Sequence, residues 1–208
     1  MIISGINEVI NDRVRYANNM AKKNAVKSGF ENHISNVANS SNTAKTTSLS
    51  SGNIVIHGIF GETDSEGYTV VGAWGDAQTG TSTTVYKPAD FDESNPVYRV
   101  KIWDSYGNVT ERDVNLNEVN VSNCDTFDFY AYSCYLSNSG KYPSAMQDFM
   151  MTHAHYKGEE GFGKNSYSDM FVKFDWTSVI KSLMSMQYRC GNIKGYWDYR
   201  NFYDFLEG

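Results

Sequence analysis

The chain has 208 residues, 24 acidic against 18 basic side chains for a net charge of −6, and a 40% hydrophobic share. That is enough for one good-sized domain, or a domain with an appended segment. No apolar run approaches the length of a membrane span and no charged start leads into an apolar core, so the expected location is cytoplasmic, or reached by export without a cleaved signal peptide.

Ile6, Val9, Ile10, Ala17, Met20 and Ala21 recur at helical spacing, and Val26, Phe30, Ile34 and Val37 continue the pattern less regularly. Residues 1–37 are therefore read as an amphipathic helical arm, which either packs on its own domain or serves a partner or an export machine. Its apolar stripe is thin, so alone it would be marginal. The arm carries five basic against three acidic residues, whereas the chain after Gly52 carries 12 against 21. An acidic body repels phosphate backbones, and nucleic acid is not an expected partner. Residues 38–52, ANSSNTAKTTSLSSG, cannot bury enough apolar surface to offset their ordering entropy. They read as a flexible linker and the one candidate boundary, leaving 53–208 as an α+β globular domain.

After the linker the period changes from helical to alternating. Asn53–Phe60 and Tyr68–Trp74 are strand-like runs separated by the turn-forming GETDSEG, which together suggest a hairpin. Ser82–Lys87 runs into Pro88 and is at best an edge strand. An acidic loop, Ala89–Pro96, then leads into Val97–Leu116, the best-determined stretch of the chain. Here Asp104-Ser105-Tyr106-Gly107-Asn108 forms the turn of a hairpin, because Gly107 supplies a left-handed residue without steric cost. Centring the pairing on Tyr106 sets Arg99 opposite Asp113, Lys101 opposite Glu111 and Trp103 opposite Val109 on one face, with Tyr98 opposite Val114 and Ile102 opposite Thr110 on the other. The expectation is a small antiparallel sheet of four to five strands, with Val121 a candidate to close its last segment.

Helices resume after Ser122. Residues 125–135 fit a helix capped by Ser122 or Asn123 and stopped by Ser-Asn-Ser-Gly at 137–140. Pro143 opens a second, with Met146, Phe149, Met150 and His153 on one face, and KGEEGFGKNSYS at 157–168 reads as a mobile loop. Asp175 caps a third, whose Trp176, Val179, Ile180, Leu183, Met184 and Gln187 form a stripe ended by Cys190-Gly191; Ile193–Leu206 makes a fourth. One face of the sheet needs covering, and these helices, docking on Tyr98, Val100 and Ile102, are the material for it.

Few residues point to chemistry. Cys124, Cys134 and Cys190 make an odd, widely spaced set without a CxxC pair, so they are read as reduced and buried. The sequence shows no GxSxG, GxGxxG or P-loop. His153 and His155, followed by Glu159 and Glu160, hold the residue types of a zinc site, but helical residues two apart point about 200° from each other. Asp104, Asn108 and Glu111 lack the ligand spacing of an EF-hand, and the turn needs Asp104 and Gly107 for its own backbone. No cofactor is implied. The last helix carries Tyr196, Trp197, Tyr199, Phe202, Tyr203 and Phe205, too wide a distribution for a single stripe. Such a helix is either wedged between the sheet and its neighbours or presents an aromatic interface.

The runs VYRVKIWDSYGNVTERDVNLNEVNVSNCDTFDFYAYSCYL and DWTSVIKSLMSMQYRCGNIKGYWDYRNFYDFL, with ISGIN and NNMAKKNAVKSGFENHI near the start, resemble those of an uncharacterised protein family, a domain of unknown function, in anaerobic Gram-positive gut bacteria. The resemblance implies a bacterial source and no catalytic residues to carry over. The favoured expectation is a non-enzymatic interaction or assembly protein, with Tyr196, Trp197, Tyr199, Phe202 and Tyr203 meeting a partner protein or a second copy and the arm serving docking or export. The alternative is a metal-dependent hydrolase using His153, His155 and Glu159.

Overall fold

Among the described residues, six strands and four helices follow one another: β1 (Thr47–Leu49), β2 (Ile54–Ile56), β3 (Thr69–Asp76), β4 (Thr81–Lys87), β5 (Val97–Trp103), β6 (Val109–Asn115), α1 (Thr126–Asn138), α2 (Ala145–Gly158), α3 (Trp176–Arg189) and α4 (Ile193–Glu207). A computed structural model describes residues 47–49, 54–158 and 166–207. The expected amphipathic arm at 1–37, most of the expected linker at 38–52, and Glu159 and Glu160 lie outside the described residues.

Strands β3 to β6 form an antiparallel sheet in sequential order, and the four helices follow it, an α+β arrangement. The β5–β6 pairing has the register expected from the sequence: Arg99 faces Asp113, Lys101 faces Glu111, Trp103 faces Val109 and Tyr98 faces Val114. Its turn is held by Asp104, whose Oδ1 accepts the backbone N–H groups of Tyr106 and Asn108 at 2.9 Å, while Gly107 takes φ +84°. The same device recurs at Asp64-Ser65-Glu66-Gly67-Tyr68, where Asp64 Oδ1 accepts from Glu66 and Tyr68 and Gly67 takes φ +86°.

Three expectations about the strands and the start of α1 are corrected. First, the run 53–60 does not pair with 68–74 as a regular hairpin. Its strand stops at Ile56, before Gly58 at φ +90°, and pairs with β1 inside the Ser/Thr/Asn-rich segment, while β3 pairs with β4. The segment that follows β2 folds back on the start of β3 instead, with a bridge between Thr63 and Thr69 and backbone hydrogen bonds from Gly61 to Val70, Val70 to Glu62 and Asp64 to Tyr68. Second, β4 is a central strand, paired on both sides. Pro88 follows its last residue, so no ladder bond is lost, and Thr81, Ser82, Thr83, Thr84 and Val85 are all buried. The Thr84 hydroxyl donates to the His57 carbonyl, and the His57 ring stacks on Trp103 with centroids 3.9 Å apart, so residues near β2 cover part of the sheet's second face. Third, the cap of α1 is Asp125, accepting from Phe127 and Asp128 at 2.9 Å. Asn120–Asn123 is a turn instead, and Cys124 exchanges backbone hydrogen bonds with Phe174.

The core lies between the sheet and the helices. Tyr98, Val100 and Ile102 point into it, and α1 packs across β3, β4 and β5. α1 comes closest at Gly72, beside a bulge in β3: a Cβ there would sit 2.3 Å from Cys134 Sγ. Phe129, Phe149, Trp176 and Phe202 fill the space between helices, with the Trp176 indole donating to the Cys124 carbonyl at 3.0 Å. Arg112 points inward from β6 and donates to Asp125 at 2.6 Å and Asp128 at 2.7 Å, tying the sheet edge to the start of α1. On α2 the buried set is Ala145, Phe149, Thr152, His153 and Tyr156, while Met150 is exposed. Cys124 and Cys134 are free and buried; Cys190, expected to be buried, is exposed where α3 ends.

Candidate functional site

The last two helices make a tight antiparallel pair because of three residues at their junction. Gly191 takes φ +73°, the Asn192 amide donates to Gln187 Oε1 at 2.6 Å, and Asn192 Oδ1 accepts from the Gly195 N–H at 3.1 Å, capping α4. A Cβ at Gly195 would lie 2.6 Å from the Asn192 amide nitrogen and 2.7 Å from Gln187 Oε1, so a larger residue there would displace the Asn192–Gln187 hydrogen bond. The turn brings Tyr188 and Tyr196 together at 5.8 Å between ring centroids, and Trp197 stands 5.5 Å from Tyr196. Ile193, one turn earlier on α4, shares this face.

Five residues of this helix were expected at an interface, and the structure divides them. Trp197 is 54% exposed and Tyr196 and Tyr203 are half-buried, whereas Tyr199 and Phe202 are buried. Phe202 packs on Phe129 and Tyr142, so with Tyr199 it serves the core rather than a surface. The exposed set gains Tyr188, 65% exposed, and Ile193, 50% exposed. Sequence reasoning missed both. The signal for Tyr188 was that it falls off the apolar stripe of α3, directly after Gln187.

Charge distinguishes this hairpin. Residues 176–207 carry four cations, Lys181, Arg189, Lys194 and Arg200, against three anions, while residues 53–175 carry eight against eighteen. Lys194–Asp198 and Arg200–Asp204 pair along α4 at 2.5 and 2.9 Å.

The histidines of α2 have separate surroundings. His153 lies among Trp74, Phe149, Tyr156 and Trp176 and is 5% exposed, and burial pushes its pKa down to about 4. His155 faces α3, with Nε2 3.0 Å from the Ser182 hydroxyl. Among the described residues no three His, Cys, Asp or Glu side chains are grouped to hold a metal ion. Beside His153, Lys157 donates to both oxygens of Asp76 at 2.6 Å. Burial raises the Asp76 carboxyl, but the bond from Lys157 and the N–H of Gln78 outweigh it and hold the pKa below its usual value. Burial pushes the thiols of Cys124 and Cys134 well up, so neither presents a thiolate at neutral pH.

No protein-family model, curated protein or solved structure matches the chain. Among the described residues, no helix is long and apolar enough to cross a membrane.

Proposed function

We propose that this is a non-enzymatic interaction protein whose contact surface is the tip of the α3–α4 hairpin. The observation that carries this reading is the exposure of Tyr188, Ile193 and Trp197 beside Tyr196 on a helix pair that carries four cations against three anions in an otherwise acidic domain. Tyr and Trp are the favoured anchors of protein interfaces, because each covers a large area with few rotors to immobilise. Two acidic bodies repel one another everywhere except at such a face, so the partner is a second copy of the chain, meeting tip to tip. The amphipathic arm at 1–37 would act as the docking or export element of the same protein.

Analytical ultracentrifugation of the full chain from about 1 μM to about 1 mM covers affinities of roughly −8 to −4 kcal/mol. The expected result is a monomer–dimer equilibrium that Tyr188→Ser with Trp197→Ser abolishes. Tyr106→Ser, which removes an aromatic ring from the exposed β5–β6 turn, should leave it unchanged. A wild-type chain that stays monomeric throughout, or a dimer indifferent to the tip substitutions, would refute the reading.

A further inference from the structure

Away from the hairpin tip, the end of β4, the loop that follows it and the end of α1 enclose a groove of about 300 Å³, lined by Lys87, Phe91, Glu93, Tyr98, Tyr135, Asn138, Ser139 and Lys141. That size is at the lower end of small-molecule sites, room for about one ring and its substituents. Its wall is aromatic. Pro88 turns the chain out of the sheet, and Phe91 folds back over Tyr98 and Tyr135, the three rings lying 5.4, 6.0 and 6.3 Å apart.

Two lysines reach over these rings. Lys87 Nζ is 4.5 Å from the Phe91 centroid, and Lys141 Nζ is 4.5 Å from the Tyr135 centroid and 2.5 Å from its hydroxyl oxygen. Among the described residues neither lysine forms an ion pair, a state they share with Lys173, Lys181 and Arg189, whereas Arg99, Lys101, Arg112 and Lys157 are paired; what sets Lys87 and Lys141 apart is that both border one groove. A purely structural role for Lys141, neutralising the end of α1, does not account for its position. The last carbonyls of α1 are met by backbone N–H groups, with Ser139 donating to Tyr135, Gly140 to Ser137 and Tyr142 to Leu136. The ammonium group turns to the tyrosine instead. Asn138 commits both amide hydrogens, to the carbonyls of Val71 at 3.0 Å and Cys134 at 2.7 Å, which leaves its side-chain oxygen as the acceptor it can offer.

We propose that this groove binds a small organic monoanion with a flat apolar ring, of the aromatic carboxylate class. The ring would lie against Phe91 and the accessible part of Tyr135, with Tyr98 behind them in the core, and the carboxylate would sit between Lys87 and Lys141. Two lysines and Glu93 leave one net positive charge at the mouth, which matches a single carboxylate better than a polyanion. A bare inorganic anion gains nothing from the ring faces, whose quadrupoles are negative. The site is independent of the hairpin tip, and each can fail without the other.

The test is a titration of the full-length ¹⁵N-labelled chain followed by NMR, with benzoate, benzyl alcohol, acetate and phenyl phosphate as separate probes. Benzoate should shift the amides of Phe91, Asn138, Ser139 and Lys141 and saturate with a Kd at or below about 1 mM, the range open to so small a ligand. Benzyl alcohol, with the same ring and no charge, should bind at least about tenfold more weakly, as should acetate, and phenyl phosphate should not exceed benzoate; a tenfold ratio is the loss of one good charged contact. Lys87→Met and Lys141→Met should each weaken benzoate binding about fivefold or more, and Lys141→Arg should restore most of it, consistent with a charge-assisted bond. Equal shifts with benzyl alcohol or acetate, phenyl phosphate binding tighter than benzoate, benzoate shifts confined to other amides, or full affinity in both methionine variants would overturn the proposal. Should a variant lose its native spectrum, the comparison of the four probes on the wild-type chain decides by itself.

Discussion

His153 should make this domain lose stability in mildly acidic solution. The imidazole is 5% exposed, packed edge-on against Trp74 and face-on against Phe149 and Trp176, and burial lowers its pKa from 6.5 to about 4. The charged groups facing it, Asp76 and Lys157, act in opposite directions and are paired with each other. In the unfolded chain the imidazole binds a proton below pH 6.5, whereas in the native chain it stays neutral down to about pH 4. Stability is therefore fully present above 6.5 and falls as pH drops toward 4, by about 2 kcal/mol at pH 5 and about 3 kcal/mol at pH 4. His57, whose pKa burial also lowers, adds in the same direction, while burial raises the carboxyls of Asp128 and Asp148 and these oppose it. The His153→Phe variant isolates the effect, since it keeps a ring in the stack and removes the titration. Urea denaturation of both chains between about pH 7 and about pH 4 should show the wild type losing about 3 kcal/mol more than the variant. Equal losses in the two chains would mean that His153 accepts its proton without leaving the core, and the reasoning would fail.

Two further substitutions test the packing. Gly72→Ala places a methyl group 2.3 Å from Cys134 Sγ and should cost about 1–3 kcal/mol by overpacking; adding Cys134→Ala should recover part of the loss, a coupling of about 1 kcal/mol readable in a double-mutant cycle of urea midpoints. Asp125→Ala and Asp175→Ala both remove helix caps, but only Asp125 also holds Arg112. Denaturation should show about 1 kcal/mol for Asp175 and about 3 kcal/mol for Asp125, and equal losses would mean that Arg112 is fully served by Asp128.

What could be read from the sequence was whatever is decided locally. The β5–β6 register followed from Asp104, Gly107 and alternation, all within 20 residues, and the third helix from Asp175, an apolar stripe and Gly191. The centrality of β4 was hidden because Thr81, Ser82, Thr83 and Thr84 look like a solvated strand. Thr81 and Thr83 share the helix-side face with Val85, and Thr84 on the other face is covered by chain some 25 residues earlier, where the His57 carbonyl accepts from it. Asp125 was passed over as a cap because Ser122 and Asn123 are equally good caps by type; the bridge from Cys124 to Phe174 decides between them, and no local pattern encodes a pairing across 50 residues. Of the aromatic helix α4, composition marked the element but not its faces. The packing of Phe202 on Phe129 and Tyr142 and the burial of Tyr199 assign both to the core, and the turn at Gly191–Asn192 brings Tyr188 to Tyr196. The lysine groove draws on three separate stretches of chain, so no spacing could announce it.

The acidity of the domain has a structural source that bears on where function should be sought. Asp64, Asp76, Asp92, Asp104, Asp125 and Asp175 each accept the backbone N–H of the residue two positions on, closing turns or starting helices. Hydrogen bonds hold the Asp92 and Asp104 carboxyls below their usual pKa, and at Asp76 and Asp175 they do so against the opposing effect of burial. Six of the 21 carboxylates after Gly52 are thus committed to how this chain ends its strands and caps its helices. A surface made acidic for that reason is a poor guide to partners. The informative places are those where the pattern is broken, and two stand out among the described residues: a hairpin tip whose aromatics are exposed and whose cations are not outnumbered, and a groove where Lys87 and Lys141 rest on aromatic rings and neither forms an ion pair with a described residue. Both lie on the helical side of the molecule or at its border with the sheet, and the β5–β6 hairpin, whose Arg99, Lys101, Glu111 and Asp113 satisfy one another, is left as the scaffold between them.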